Sequence, residues 1–402
     1  MTNNLLARFI NSHNYDIRVS RNGRWIDQKC ALDAVCFVAD CIVDYLRNGG
    51  KQPFQSPDIW KSAYAITNVQ HLFGKPDPLI QTTLDEYNKF FRQPMKMLAA
   101  AGVLREDGVV RNTIQFNVER IEVLEYIALR ERNSFEFLCL YIEKTLLDSG
   151  LWDSVESFLD EQTKDSLENL KNTFSDFCIR YTPINTAVEA NRIFIKVLNP
   201  LACKFHKKGT IGGRLSSLMI TYDKIMYNQT NWRDDAVGKN KNVARGDYIP
   251  APQNDQMYQY RITRAIKYLR QFNDKYNEGK SEILDRFSVG EKATHMHHIF
   301  PKNQFEEIAD YIENLIALTS GQHLQAAHHG KTSVVDTRYQ YTCLIAKTES
   351  IRKNIMSNNG EPVIYNFDDF MHVLGVGLRT DYFEALPSSD FNSVLTGIEF
   401  NY

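Results

Sequence analysis

No stretch of this chain approaches the roughly 18 uninterrupted apolar residues of a membrane-spanning helix, and the opening Met1-Thr-Asn-Asn-Leu-Leu-Ala-Arg lacks the apolar core of a signal peptide. No membrane contact is expected, and a cytoplasmic location is. The seven cysteines, at 30, 36, 41, 139, 178, 203 and 343, are odd in number and include no C-x-x-C pair. A disulfide framework is therefore not expected, and Cys36 and Cys41, in an apolar helical run, suit buried free thiols. There is no internal repeat, no low-complexity tract and no phosphate loop, because Gly209-Thr-Ile-Gly-Gly-Arg214 lacks the Gly-Lys-Ser/Thr ending. Charge of one sign is scarce as well. With a formal net charge of −2, any grip on nucleic acid must come from a local patch.

What remains is the composition of an ordinary globular protein, 43% apolar and 24% charged over 402 residues, long enough for two or three domains. Asp27 is a candidate cap for a helix through Ala31 to Leu46, which Asn48-Gly49-Gly50 ends. A second helix is expected from Ser56-Pro57-Asp58 to Gly74, and a third over Thr83 to Ala101, bent at Pro94 and stopped by Gly102. The stretch 103–118 alternates and is expected to turn at Asp107-Gly108. Three helices and a hairpin make an arrangement that resembles the winged helix-turn-helix family in element order. The resemblance implies DNA contact through the third helix, where Lys89, Arg92 and Lys96 can reach phosphates and base edges. A winged helix serves protein partners too, and those cations also suit a solvated helix face.

Residues 119–200 read as a helical, acidic scaffold poorly suited to face DNA. Character changes between Lys204 and Gly246, where nine Lys/Arg stand against three Asp. Lys207, Lys208, Arg214 and Arg233 lie here with glycines and the aromatics Tyr222, Tyr227 and Trp232, a pattern suited to backbone phosphates. A helix from Asp255 to Tyr276 carries Arg261, Arg264, Lys267 and Arg270 at spacings that extend the basic face. The organisation expected is 1–118 winged-helix-like, 119–200 scaffold, 201–280 basic DNA-contacting region and 281–402 catalytic domain.

The chemistry concentrates between Ala293 and Lys331. Of the ten histidines in the chain, His295, His297, His298, His323, His328 and His329 fall in this stretch. Imidazole titrates near neutrality and binds first-row metals, so the cluster points to a metal site, a proton-transfer site or both. His297-His298-Ile299-Phe300-Pro301 reads as a short strand broken by proline. Asn314-Leu315-Ile316-Ala317-Leu318 reads as a second strand, and Ser320-Gly321 leads into a helix carrying His323 and His328.

These residues resemble the HNH nuclease family, whose ββα-metal core reads Asp/His-His-Ile-x-Pro, then Asn-Leu, then His or Asn about nine residues on; Asn314 and His323 are nine apart. The resemblance implies His297 as metal ligand, His298 as general base, Asn314 as the residue that orients the base, and His323 as second ligand. His328 is a further ligand candidate. Five residues separate it from His323, roughly 140° around an ideal helix, so either His323 precedes the helix proper or only one of the two binds. The His-Gly-Lys ending at Lys331 favours His328 as the family match. A structural zinc site is the alternative for the cluster, although the segment has no thiolate.

The whole is expected to be α+β and predominantly helical, with an N-terminal winged helix, a helical middle and a C-terminal ββα-metal core. The activity implied is metal-dependent endonuclease action on double-stranded DNA, in the manner of a type II restriction enzyme. A homodimer is expected, since two centres are needed to cut both strands. Magnesium is the cofactor expected on availability, while manganese, zinc and nickel suit imidazole better. The competing readings are a DNA-binding regulator with structural zinc and an RNA-directed nuclease or toxin.

Overall fold

The structure is a computed structural model describing residues 5–73, 75, 78–81, 84–227, 255–327, 336–356 and 361–402. It is predominantly helical, with one three-stranded and two two-stranded sheets among the described residues. Its contacts divide it into two compact units, one over residues 6–252 and one over 253–402 with the first five residues. No described helix is long and apolar enough to cross a membrane.

The larger unit is built round one helix. After the short α1 (Leu5–Asn11) and α2 (Ile17–Ser20), α3 (Leu32–Arg47) is apolar on nearly every face, and Leu32 through Asp44 are all buried. A helix apolar all round must be covered all round. Helices α6 (Leu84–Ala100), α7 (Ile121–Leu129) and α8 (Glu131–Asp148) supply that cover. Its buried acids have partners: Asp40 accepts from Tyr64 Oη at 2.6 Å and Asp33 from the Tyr227 amide at 2.7 Å. Asp27 does not cap α3. Its carboxylate accepts from the Gln28 amide, its carbonyl closes a turn to Cys30, and Ala31 stands at the cap position.

Between α3 and α6 the expected single helix is two, α4 (Ser56–Trp60) and α5 (Ala63–Phe73). The break falls at Ser62, whose hydroxyl takes the Ala65 amide at 3.1 Å and so competes with helical continuation. Strand β1 (Phe54–Gln55) precedes α4, and β2 (Leu104–Val110) and β3 (Thr113–Val118) follow α6 in an antiparallel sheet of order β1-β3-β2. The hairpin turns at Arg111-Asn112, not at Asp107-Gly108. Val110 pairs with Thr113, and both turn residues have positive φ, 50° and 64°. Gly108 lies inside β2 with φ 92°, where the register slips between Glu106 and Val109, so its freedom serves a bulge.

Helices α7 and α8 pack directly on α3. The unit continues with α9 (Trp152–Glu161), α10 (Lys164–Tyr181), α11 (Ala187–Lys204) and a hairpin of β4 (Lys208–Ile211) and β5 (Arg214–Met219), turned by Gly212 and Gly213 at positive φ.

The smaller unit opens with α12 (Asp255–Tyr276) and holds the antiparallel pair β6 (His295–His298) and β7 (Leu315–Leu318). All four residues of β7 are wholly buried. On its other edge, Glu282 donates its amide to Ala317 O at 3.1 Å and accepts the Ala317 amide on Oε1 at 2.9 Å. After β7 comes a helical segment, Gln322–Ala327, then α13 (Thr337–Met356), α14 (Phe367–Leu378) and α15 (Phe391–Phe400). Lys347 of α13, with no exposed side chain, bonds Glu282 at 3.3 Å and Tyr365 Oη at 2.7 Å, which ties α13 to the back of β7.

Candidate histidine site

Strand alternation decides which imidazoles meet. Residues two apart on β6 share a face, so His295 and His297 point to one side and His298 to the other. His323 comes to the first side. Its ring stacks on that of His295 with centroids 4.6 Å apart, and stands edge-on to that of His297 at 5.3 Å. The site histidines among the described residues thus do not all converge on one point. Three gather on one face and His298 stands behind them.

His323 is held by the start of its helical segment. The Gln322 side chain accepts the Thr319 amide at 3.0 Å while the Thr319 hydroxyl accepts the Gln322 amide at 3.2 Å, a reciprocal cap. Gln322, wholly buried, also takes the Ser281 hydroxyl at 2.6 Å and donates to Ile283 O at 2.9 Å. The sequence signal for this cap is Thr-x-x-Gln directly after an apolar strand. The segment Gln322–Ala327 has π winding, in which residues five apart are linked. His328, the further ligand candidate, lies outside the described residues.

His298 is half-buried and its Nε2 lies 3.0 Å from Ala309 O. A carbonyl only accepts, so Nε2 carries the proton and Nδ1 the lone pair. Burial drives the imidazole pKa down from 6.5 to about 4; the Ala309 bond pulls it back and the Lys302 charge lowers it further. At neutral pH the ring is therefore uncharged, with its free lone pair on Nδ1.

Asn314 is wholly buried and fully used. Its Oδ1 accepts the Phe300 amide at 2.8 Å, and its Nδ2 donates to Phe300 O at 3.1 Å and Ile308 O at 3.2 Å. It binds the loop between the strands at Phe300 and at Ile308, while the His298 ring is held by Ala309.

The chemistry the site can perform is proton acceptance at His298 beside an imidazole-rich face. His297 and His323 are close enough to share a small cation. Among the described residues, however, no group of three His, Cys, Asp or Glu side chains is arranged to hold a metal ion. Two imidazoles fit a late first-row metal better than magnesium.

The expected DNA-contacting residues distribute unevenly. On α6, Lys89 and Arg92 are exposed, while Lys96 is nearer 39% exposed along its side chain and stands 4.0 Å from Glu106. Glu86 on the same helix is engaged by Lys29 at 2.5 Å and Lys75 at 3.2 Å. Lys207 and Lys208 are half-buried beside the start of β4, and Arg214 is exposed at the hairpin turn. Arg233 lies outside the described residues. On α12 the expected basic face is interrupted, because Arg264 is 5% exposed against the Tyr260 ring and Arg270 donates to Thr294 O at 3.0 Å. Arg270 ties α12 to the approach of β6.

No family model, curated protein or solved structure matches this chain.

Proposed function

We propose that the chain is a metal-dependent phosphodiester hydrolase of the HNH type acting on double-stranded DNA, in the manner of a type II restriction endonuclease. The observation that carries this reading is the meeting of the His297 and His323 rings, one from a strand and one from the helical segment after its partner strand, with His298 next along that strand. In this reading His298 takes a proton on Nδ1 from the attacking water, with Ala309 O keeping the ring in the required tautomer. Asn314 keeps the loop that presents Ala309 closed. His297 and His323 would hold the divalent cation, which supplies charge neutralisation at the scissile phosphate and leaving oxygen. The donor set favours manganese, zinc or nickel, and magnesium serves by abundance.

For DNA binding, the order α3, β1, α4 with α5, α6, β2 and β3, with strand order β1-β3-β2, supports a winged helix-turn-helix. Lys89 and Arg92 on the exposed side of α6 are its phosphate contacts, and Arg214 on the glycine turn is a second point of contact. A dimer of such chains would cut both strands together.

The test is incubation of purified protein with plasmid and, separately, structured RNA, each with Mg²⁺, Mn²⁺ or EDTA, alongside His298→Ala. Discrete plasmid fragments that need metal and vanish in the variant support the reading. Cleavage of RNA alone transfers the same chemistry to an RNA nuclease. Tight zinc with no cleavage of either substrate replaces it with a DNA-binding regulator.

A further inference from the structure

The peptide plane joining Ile299 to Phe300 is the second after His298, one residue beyond the Ile299 amide that donates to Asn314 O at 2.9 Å, and it is held from both sides. Its N–H donates to Asn314 Oδ1 at 2.8 Å. Its carbonyl, on Ile299, accepts from Gln340 Nε2 at 2.7 Å, and Gln340 Oε1 accepts from Tyr402 Oη at 2.7 Å. Asn314 belongs to the ββ motif. Gln340 reaches in from α13, and Tyr402 lies beyond α15 with its ring 5.5 Å from that of Tyr341.

The direction of this chain of bonds is chemically determined. Ile299 O can only accept, so the amide of Gln340 must present its NH₂ there; its oxygen then faces Tyr402, whose hydroxyl must donate. Ile299 O thereby selects the flip of the Gln340 amide, and Tyr402 holds the amide in place by donating to the oxygen left facing it. Ile299 is wholly buried, so no solvent replaces Gln340 if it lets go.

We propose that Gln340 and Tyr402 are positioning residues for His298, clamping the Ile299–Phe300 peptide plane one residue beyond it so that the imidazole stays on Ala309 with Nδ1 presented. The inference rests on the reading of His298 as a base for its catalytic consequence, but the clamp itself is a statement about where the ring is held. Releasing Ile299 O lets that plane rotate about the bonds flanking it, and the rotation is transmitted to the last residue of β6. The stretch is then held from the Asn314 side only, by its backbone oxygen on the Ile299 amide and its side chain on Phe300.

The experiment compares full-length wild type with Gln340→Glu, Gln340→Leu and Tyr402→Phe. Gln340→Glu keeps the shape and the Tyr402 bond but loses the donor; Tyr402→Phe keeps the packing and loses only the hydroxyl. The first readout is the His298 Nε2–H resonance in ¹⁵N-histidine-labelled protein, assigned with His298→Ala. The clamp predicts that this ring proton exchanges with solvent at least about tenfold faster in both Gln340 variants, with a smaller change in Tyr402→Phe. The second readout is cleavage, with kcat down about ten- to hundredfold and KM within about twofold of wild type. An Nε2–H resonance unchanged in Gln340→Glu and in Tyr402→Phe overturns the proposal, whichever variants fold best. If the wild type cleaves nothing, the hydrolase reading falls, and the exchange measurement still decides the clamp.

Discussion

The imidazole of His323 stands edge-on to that of His297, ring centroids 5.3 Å apart and planes at 77°. One ring comes from a strand and the other from the helical segment after its partner strand, so only the folded unit joins them.

That pair should report itself through metal affinity. Titration of metal-free protein with Zn²⁺ or Mn²⁺ by calorimetry is expected to show tighter binding than with Mg²⁺, following the preference of imidazole. His297→Ala and His323→Ala should each weaken the zinc association by about tenfold or more. Equal affinity for Mg²⁺ and Zn²⁺, unaffected by either variant, would remove these residues from the cation site.

His298→Ala separates chemistry from structure. Loss of a general base is expected to lower the cleavage rate by about 10²- to 10⁴-fold, while zinc affinity and the thermal midpoint change little. Rates measured under single-turnover conditions with plasmid provide the check.

Acid should weaken the smaller unit through the same ring. The folded-state pKa of His298, about 4, lies below its ordinary 6.5, so the native state holds the proton less well than the unfolded chain. Above pH 6.5 both states are neutral and the group contributes nothing. As pH falls from 6.5 towards 4, the unfolded chain protonates first and stability drops by an amount on the order of 2 kcal/mol. Urea unfolding at pH 7 and pH 4.5 should show this loss in the wild type and a smaller one in His298→Gln.

Asn314 is predicted to matter for stability before it matters for catalysis. Asn314→Ala strands the Phe300 amide and two carbonyls in the core, at a cost of about 3 kcal/mol or more. A denaturation midpoint within error of wild type would show that the loop is held by something else.

On the larger unit, Lys89→Ala and Arg92→Ala should each reduce the slope of log affinity against log salt by about 0.9 for duplex DNA, because each releases one counterion. Lys96→Ala should change it less, since Glu106 is already 4.0 Å from that ammonium. Fluorescence anisotropy across a salt series measures all three.

Local signals were readable where local energetics decides. The apolar run of α3, the end of α6 before Gly102 and the span of α12 from Asp255 to Tyr276 follow from periodicity and helix stops. The strand, loop, strand and helical turn around the histidines were equally plain. The hairpin turn was misread because Asp-Gly is a strong turn former in isolation, whereas the pairing of Val110 with Thr113 moves the reversal to Arg111-Asn112 and leaves Gly108 in a bulge. Arg264 was read as a surface cation, since helical spacing gives a face but not which face is covered.

The sequence by itself determined the inventory: six histidines in one short stretch, an asparagine at the head of the second strand, and a proline at 301, three residues past His298, where the first strand ends. Tertiary structure decided their relations. It set His295 and His297 against His323, turned His298 away to Ala309, and brought Gln340 onto Ile299. The physical reason is distance along the chain. Periodicity carries information over a turn or two of backbone, but the partner of a buried ring or carbonyl is chosen by packing among elements tens of residues apart, and that choice is made only when the core closes.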